Sequence, residues 1–347
     1  MRVLAIIVTC RRPDWLIRCI QSVITAHDKA YDRQVHQKPG SFELEIKVGI
    51  NGKDAETLRA LERLTSSSSA QTPIRYLQLP EGLTPGHARN KLLQNEKADW
   101  IYFIDDDAFV DPGFLDRFQK VAEKNPDAGV IGGPNLTPDG SSRFQKNLGA
   151  ALSSRFATFK TVDRYLAFGE ARPCGEEALI LCNLFVRQSV LPEDPFPTDL
   201  ICGEENHLLR RMSEQGVALI HSPDLWVAHE RRGSLGRLIK QVTHYGISRG
   251  QSMVHESQAR HWAYALPSLC VITGAILLAR WALGYGLSPT LVILSSFYIL
   301  LSLASAIRVR LPGTSLLLIS CLFFFIHVSY GVGVIVGFLR GLLRSSR

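Results

Sequence analysis

From residue 263 to residue 347 the chain contains no Asp and no Glu, whereas residues 1–262 carry the acidic groups and alternate polar with apolar. The acid-free part holds three apolar stretches, at about 263–284, 288–306 and 314–339. Each reaches the roughly 20 residues a helix needs to cross a hydrocarbon core. Three successive runs of this kind are rare as core helices of soluble domains. The chain therefore reads as a water-soluble part over 1–230, a basic, partly amphipathic interfacial segment over 231–262, and transmembrane helices over 263–340. A length of 347 residues suits about two domains.

Charge agrees with this division. The net charge is +7, and Lys and Arg concentrate at 230–249 and near 340–347, both beside apolar segments. That pattern favours a lipid surface over nucleic acid. The basic 230–249 segment and the Arg308/Arg310 loop are both expected on the cytoplasmic side, with two spans between them. A third full span would carry Arg340, Arg344 and Arg347 outward. The third stretch also contains His327, Ser329 and Gly331–Gly337, so a kinked or re-entrant form stays open. The expected location is the inner (cell) membrane, multi-pass, with the first part in the cytoplasm. Seven cysteines, an odd number without a CxxC pair, argue against a zinc site or a disulfide framework. The N-terminal run has no full-length apolar region followed by a cleavage site, and reads as a first strand rather than a signal peptide.

Within 1–230 strand and helix alternate. Val3–Thr9 is a β-branched apolar run of strand length, and Pro13–Ala26 follows with helical spacing. Leu44–Ile50, Ile74–Leu79 and Trp100–Ile104 read as further strands, with helices over Ala55–Leu64 and from Pro85 to Gln94. The alternation argues for an open parallel sheet, which binds ligands at the carboxyl ends of its strands. Thr9, Asn51 and Asp105 sit at such ends. Beyond it come strand-like Ala128–Gly132, a long polar stretch near 134–175, strand-like Ala178–Val186, a helix over Glu204–Gln215, and short strands at Ala218–His221 and Trp226–His229.

Three adjacent carboxylates, Asp105-Asp106-Asp107, follow the strand Trp100–Ile104 directly. They repel one another and persist best where a cation offsets them. Their hard oxygens suit Mg2+ or Mn2+. In an extended segment, residues two apart point the same way. Asp105 and Asp107 are then expected at one site, with Asp106 facing away.

Together with Thr9-Cys10-Arg11-Arg12-Pro13, Asn51-Gly52 and Gly86-His87-Ala88-Arg89-Asn90, this cluster resembles family 2 of the inverting glycosyltransferases, in order and spacing, over residues 3 to about 230. The resemblance implies a GT-A fold, a mostly parallel α/β sheet that binds a nucleotide-sugar, here with C-terminal membrane helices. It implies that Thr9, Arg11 and Asn51 lie about the nucleotide, with Arg89 and Asn90 near the ribose. It makes Asp105 a ribose or metal contact and Asp107 the metal ligand, with His229 approaching the metal or diphosphate. A lone His is as often structural. Cys202-Gly203-Glu204-Glu205 resembles the family's base-bearing segment. The carboxylate that takes the acceptor hydroxyl proton falls on Glu205, with Glu204 as its rival. Cys182-Asn183 and Arg187 occupy an acceptor-side position, where core packing competes with contact to the acceptor. The family's acidic residue before Asn51-Gly52 is replaced by Ile50, which leaves the nucleotide open.

Lys240–Arg249 is similar to a segment preceding the membrane helices of some relatives, and Phe325–Gly337 to their glycine-rich last span. The implied activity is inverting, metal-dependent transfer of a sugar from a nucleotide-diphosphate sugar to a hydroxyl of a lipid-linked glycan acceptor in envelope or exopolysaccharide synthesis. Absence of a Gln-x-x-Arg-Trp signature points to single additions. Two rivals are a metal-dependent nucleotidyltransferase, which usually has a glycine-rich loop after its first strand, and a non-catalytic membrane scaffold. Cys10-Arg11-Arg12-Pro13 has no glycine, and Asp107, Glu204 and Glu205 are all present.

Overall fold

A computed structural model describes residues 1–37, 42–67, 71–198, 200, 202–255 and 264–345. The chain forms two compact units: Met1–Pro138 with Asp163–Glu230, and Asp139–Val162 with Arg231–Arg347.

The first unit is built on strands β1 (Arg2–Thr9), β2 (Glu43–Asn51), β3 (Ile74–Leu79), β4 (Trp100–Ile104), β5 (Ala108–Phe109), β6 (Ala128–Gly132), β7 (Asn135–Leu136), β8 (Arg172–Pro173), β9 (Asn183–Arg187), β10 (Ala218–His221) and β11 (Val227–His229). Its helices are α1 (Pro13–Gln37), α2 (Ala55–Ser67), α3 (Pro85–Leu93), α4 (Phe114–Lys124) and α7 (Glu204–Glu214). Eight strands form one sheet in the order β3-β2-β1-β4-β9-β6-β10-β8, and β5-β11-β7 form a small second sheet. β1, β2, β3 and β4 are mutually parallel, as the strand–helix alternation predicts. β9 differs: it lies antiparallel to both β4 and β6 in the middle of the sheet. An apolar run marks a strand as buried on both faces but carries no direction.

Both faces of this sheet are covered. One layer centres on Phe185, stacked on Tyr102 at 4.1 Å and on Phe118 at 3.7 Å between ring centroids. The other gathers Leu4, Ile6, Phe103, Phe196 and Leu208. Buried apolar strands thus present their polar ends along one edge, where Thr9, Asn51 and Asp105 emerge.

The second unit is helical: α5 (Arg143–Leu152), α6 (Arg155–Thr158), α8 (Leu235–His255), α9 (Leu266–Ala282), α10 (Pro289–Val309) and α11 (Leu316–Ser345). α5 sits inside the stretch read from sequence as polar. Its start is a capping box, in which Ser142 and Gln145 each accept from the other's backbone. α8 and α11 run side by side in the same direction, and at Gly246, Gly250, Gly333 and Gly337 their backbones meet directly. A Cβ on Gly333 would come within 2.3 Å of the Thr243 carbonyl, and one on Gly337 within 2.1 Å of that of Ile247. Such glycine contacts let two backbones approach as in small-residue helix pairs of membranes. His327 of α11 is fully engaged, with Nδ1 2.8 Å from the Tyr298 hydroxyl and Nε2 2.7 Å from the Phe156 carbonyl.

Among the described residues two helices are long and apolar enough to cross a membrane: Pro289–Val309 and Leu316–Leu343, each with mean hydropathy 2.1. The first of the three expected spans is shorter than expected, with α9 confined to the 17 residues Leu266–Ala282. Gly284 and Gly286, both at positive φ, end it.

Candidate active site

The site assembles at the carboxyl end of β4. The chain leaves the sheet after Ile104 and turns at once, so Asp106 and Asp107 lie in a turn before β5. Strand alternation stops there, and the expectation that Asp106 faces away fails. Asp106 is buried, accepts from the Thr9 hydroxyl at 2.7 Å and from Arg12 Nη1 at 3.1 Å. The same Arg12 nitrogen donates to Asp107 Oδ2 at 3.0 Å. Burial, reinforced by the charge of Asp107, pushes Asp106 up to about 6. Burial alone would lower the Arg12 guanidinium, but Asp106 and Asp107 outweigh it and hold its pKa above the ordinary value.

Arg12 is the functional side chain that sequence reasoning passed over in favour of Arg11. Arg11 instead has φ +55, donates its backbone N–H to Asp54 at 2.7 Å and pairs with Glu81 at 3.7 Å. The left-handed backbone at Arg11 aims the two guanidinium groups apart. The signal available was the doublet itself, immediately before the helix-opening Pro13.

The remaining expected residues fall into three sets. The first surrounds the aspartates. Asp105 accepts from Arg89 Nη2 at 2.8 Å, and His229, at the end of β11, places Nε2 3.0 Å from Asp107 Oδ1. Single donor atoms of Asp105, Cys182 and His229 all lie within 4.8 Å of one another. The second set is at the start of α7. Glu204 is buried and pairs with Arg89 Nη1 at 2.7 Å. Burial raises its pKa to about 7, against the opposing pull of Arg89. Glu205 faces Arg164 at 3.5 Å. Arg164, a second residue missed from sequence, is anchored by donating to the carbonyls of Glu176 and Glu177 and to Asn206 Oδ1. Arg89 therefore links the two acidic sets, one guanidinium nitrogen on each.

The third set holds backbone. Asn51 donates to the Leu83 carbonyl at 2.8 Å. Asn90 clamps Phe196 from both sides, donating to its carbonyl at 2.8 Å and accepting from its N–H at 3.1 Å. Gly86 makes this docking feasible, since a Cβ there would meet the Pro197 carbonyl at 2.7 Å. Asn183 is fully buried and donates to the carbonyls of Leu225 and Pro134.

The donor set fits a divalent cation. Asp105 offers a half-open carboxylate, and His229 keeps a buried Nδ1 with no hydrogen-bond partner. Carboxylate plus imidazole is an ordinary ligand combination.

No curated protein sequence matches the chain significantly. Among solved structures, the mannosyltransferase PcManGT from Pyrobaculum calidifontis, in complex with GDP-Man and Mn2+, is similar with a TM-score of 0.63 at 15% identity, over 99% of this chain and 87% of that one. Residues 1–349 of S. aureus TarS in complex with UDP-GlcNAc give 0.48 at 12% identity, over 100% and 93%. The first likeness shows the fold, a GT-A arrangement of mixed α/β type. The sequence signature of "Glycosyl transferase family 2" matches residues 4–186, from β1 through β9 and the turn bearing the three aspartates, and the chain belongs to that family.

Proposed function

We propose that the protein transfers a sugar from a nucleotide-diphosphate sugar, with inversion, to a hydroxyl of a lipid-linked glycan at a membrane. The observation that carries this reading is the ion-pair chain Asp105–Arg89–Glu204, which ties the cation-binding end of β4 to the carboxylates opening α7. Asp105 and His229, with Asp107 bonded to the His229 ring, would hold a divalent cation such as Mg2+ or Mn2+. When bound, that ion supplies positive charge for the departing diphosphate. The complex of PcManGT with GDP-Man and Mn2+ supports a donor of this class.

Glu205 acts as general base, removing the acceptor hydroxyl proton as that oxygen attacks the anomeric carbon. Glu204 is the less suitable base because Arg89 occupies its Oε1 at 2.7 Å. Its part is to hold Arg89 against Asp105. Arg12 holds Asp107 on its Oδ2 while Oδ1 meets His229. Thr9, Asn51 and Asn90 shape the pocket walls through the bonds described above.

Membrane attachment rests on α10 and α11. α10 exposes Ile293, Phe297, Ile299, Leu300 and Ile307, a surface suited to lipid and unsuited to water. Insertion is read as multi-pass, with the first unit in the cytoplasm.

A thermal-shift screen of nucleotide-diphosphate sugars on the detergent-purified chain, with and without divalent cation, tests the proposal. At least one donor should raise Tm only when cation is present, and Asp107→Ala should lose that shift. A donor shift that ignores both cation and Asp107 overturns it.

A further inference from the structure

The two helices long enough to cross a bilayer are exposed in different ways. α10 is open nearly all round, with Ser302 and Ala306 its only buried residues among those described. The apolar residues that α11 leaves exposed include Leu317, Cys321, Phe324, Val332, Leu339 and Leu343. Their helical spacing keeps them on one face, a single stripe along the length of the helix. The opposite face, with Ile319, Phe323, Ile326, Gly333 and Gly337, is buried.

What covers the buried face is not apolar throughout. Where α11 begins, Asn147 Oδ1 of α5 accepts from the Ser315 N–H at 2.6 Å, and the Phe156 carbonyl of α6 lies 2.7 Å from His327 Nε2. Further along, α8 takes over. Gly246 faces Tyr330 and Gly333, Gly250 faces Val334 and Gly337, and Gly341 faces Gln251 and Val254. The residue numbers rise together, so the two helices are parallel and meet backbone to backbone over 243–254 and 330–341. Neither changes depth without the other. Yet basic groups run the length of α8: Arg237 and Lys240 are exposed, His244 is half-buried, and Arg249 donates to the Tyr330 hydroxyl. α5 and α6 add the exposed Arg143, Lys146 and Arg155. None of these three helices contains an acidic residue to offset them.

We infer that α11 does not cross the membrane: α8 and α11 lie together in the plane of an anionic leaflet, apolar stripe inward, and α9 and α10 alone cross. The inference rests on the reading that α10 enters lipid, and deepens it by fixing which helices do. Helices locked in parallel share one depth, and charges spread along α8 are too costly for the hydrocarbon core. An apolar stripe backed by cations is the pattern of an interfacial helix, whose apolar face sinks about 5–10 Å into the headgroup boundary. The cations of α5, α6 and α8 complement the phosphates of an anionic leaflet and draw the layer onto it. α9, with 17 residues, is at the short end of what crosses, and with α10 it forms a hairpin that returns to its starting side. Arg340 and the residues after it then stay on the cytoplasmic side, where basic residues are favoured.

The test is nitroxide depth measurement on the full chain in phosphatidylcholine–phosphatidylglycerol vesicles. Leu317→Cys, Phe324→Cys, Val332→Cys and Leu339→Cys are labelled singly, with the exposed Cys10, Cys270 and Cys321 changed to Ser. Power saturation with oxygen and a water-soluble nickel chelate reads each depth. In plane, the four labels should agree within about 5 Å. In a crossing helix rising about 1.5 Å per residue, the labels at 324 and 332 would sit about 10 Å deeper than those at 317 and 339. Sidedness gives a second readout on different variants, so misfolding of one set leaves the other decisive. In intact cells Leu287→Cys should react with an impermeant maleimide, and a cysteine appended after Arg347 should react only after permeabilisation. Deeper central labels, or an appended cysteine that reacts in intact cells, overturn the inference. If either occurs while Leu287→Cys still reacts, the membrane reading stands and only the inference falls. If Leu287→Cys is unreactive and all four labels are in water, the membrane reading falls with it.

Discussion

The aspartates after β4 and the glutamates opening α7 are both runs of adjacent carboxylates, yet the fold treats them differently. The β4 set has one half-open member: the Asp105 side chain is 34% exposed, whereas Asp106 and Asp107, at 6% and 11%, are as enclosed as Glu204 and Glu205, at 6% and 11%. Asp106 and Asp107 share one exposed-side cation, Arg12. Glu204 and Glu205 each face a buried arginine, Arg89 and Arg164. The half-open Asp105, close to the His229 ring, can accept an ion from solution. Burial instead shifts Glu204 toward neutrality, up to about 7, as it shifts Asp106 to about 6. Adjacent acids thus acquire separate tasks from their burial and from the arginine each meets, with Arg89 the shared connection.

Breaking the open set should have the largest consequence. Asp107→Ala removes the carboxylate bonded to His229 and one of the two bonded to Arg12, and kcat/KM should fall on the order of 10^3-fold, the scale of several kcal/mol of metal-derived stabilisation. Circular dichroism should stay native, and unchanged turnover would remove the cation from the reading. Glu205→Gln should lower kcat on the order of 10^2-fold, within the usual range for a general base, while donor binding by thermal shift persists. If Glu204→Gln is the inactive variant instead, the base has been placed on the wrong carboxylate. Arg89→Met separates the two sets and strands Glu204 in the interior. A loss of about 3 kcal/mol in denaturant unfolding is expected from removing one partner of a buried pair, and a loss below measurement would show the link to be decorative.

A further effect concerns pH. The folded pKa of Asp106 is near 6, above its unfolded value of 3.8. A raised carboxylate contributes stability that is fully present below about 4 and lost as pH rises through about 6. In chelated protein, wild type should lose up to about 3 kcal/mol relative to Asp106→Asn over that window. A parallel pH dependence of the two proteins would show that Asp106 ionises normally.

Much of this comparison is legible in the sequence. Asp105–Asp107, Gly86–Asn90 and Glu204-Glu205 announce themselves by adjacency and by placement at strand ends or helix starts. What the sequence hides is geometry that depends on distant pairing. Strand alternation puts Asp106 on the wrong side because the chain turns one residue after Ile104. Arg11 and Arg12 differ only in backbone φ. The antiparallel sense of β9 is absent from its apolar pattern, and without it Cys182 has no reason to be placed beside Asp105. Spacing rules for cysteine ligands look for local pairs, so donors 105, 182 and 229 escape them. α5 was readable from Ser142 and Gln145, but the polar residues around it masked the signal.

The placement of β9 also orders events in time. The parallel strands β1 to β4 are complete once residue 104 has been made, whereas His229 lies 122 residues beyond Asp107. At a synthesis rate of roughly 5–20 residues per second, the aspartate turn waits about 6–24 s for its imidazole partner. The edge of β4 that will receive β9 is unpaired for a shorter time, the 83 residues from Ile104 to Arg187 or about 4–17 s, and is until then a surface on which strands of other chains can add. Nascent chains arrested before residue 187 should therefore be aggregation-prone, and chains arrested between 187 and 229 should be less so while still lacking the imidazole.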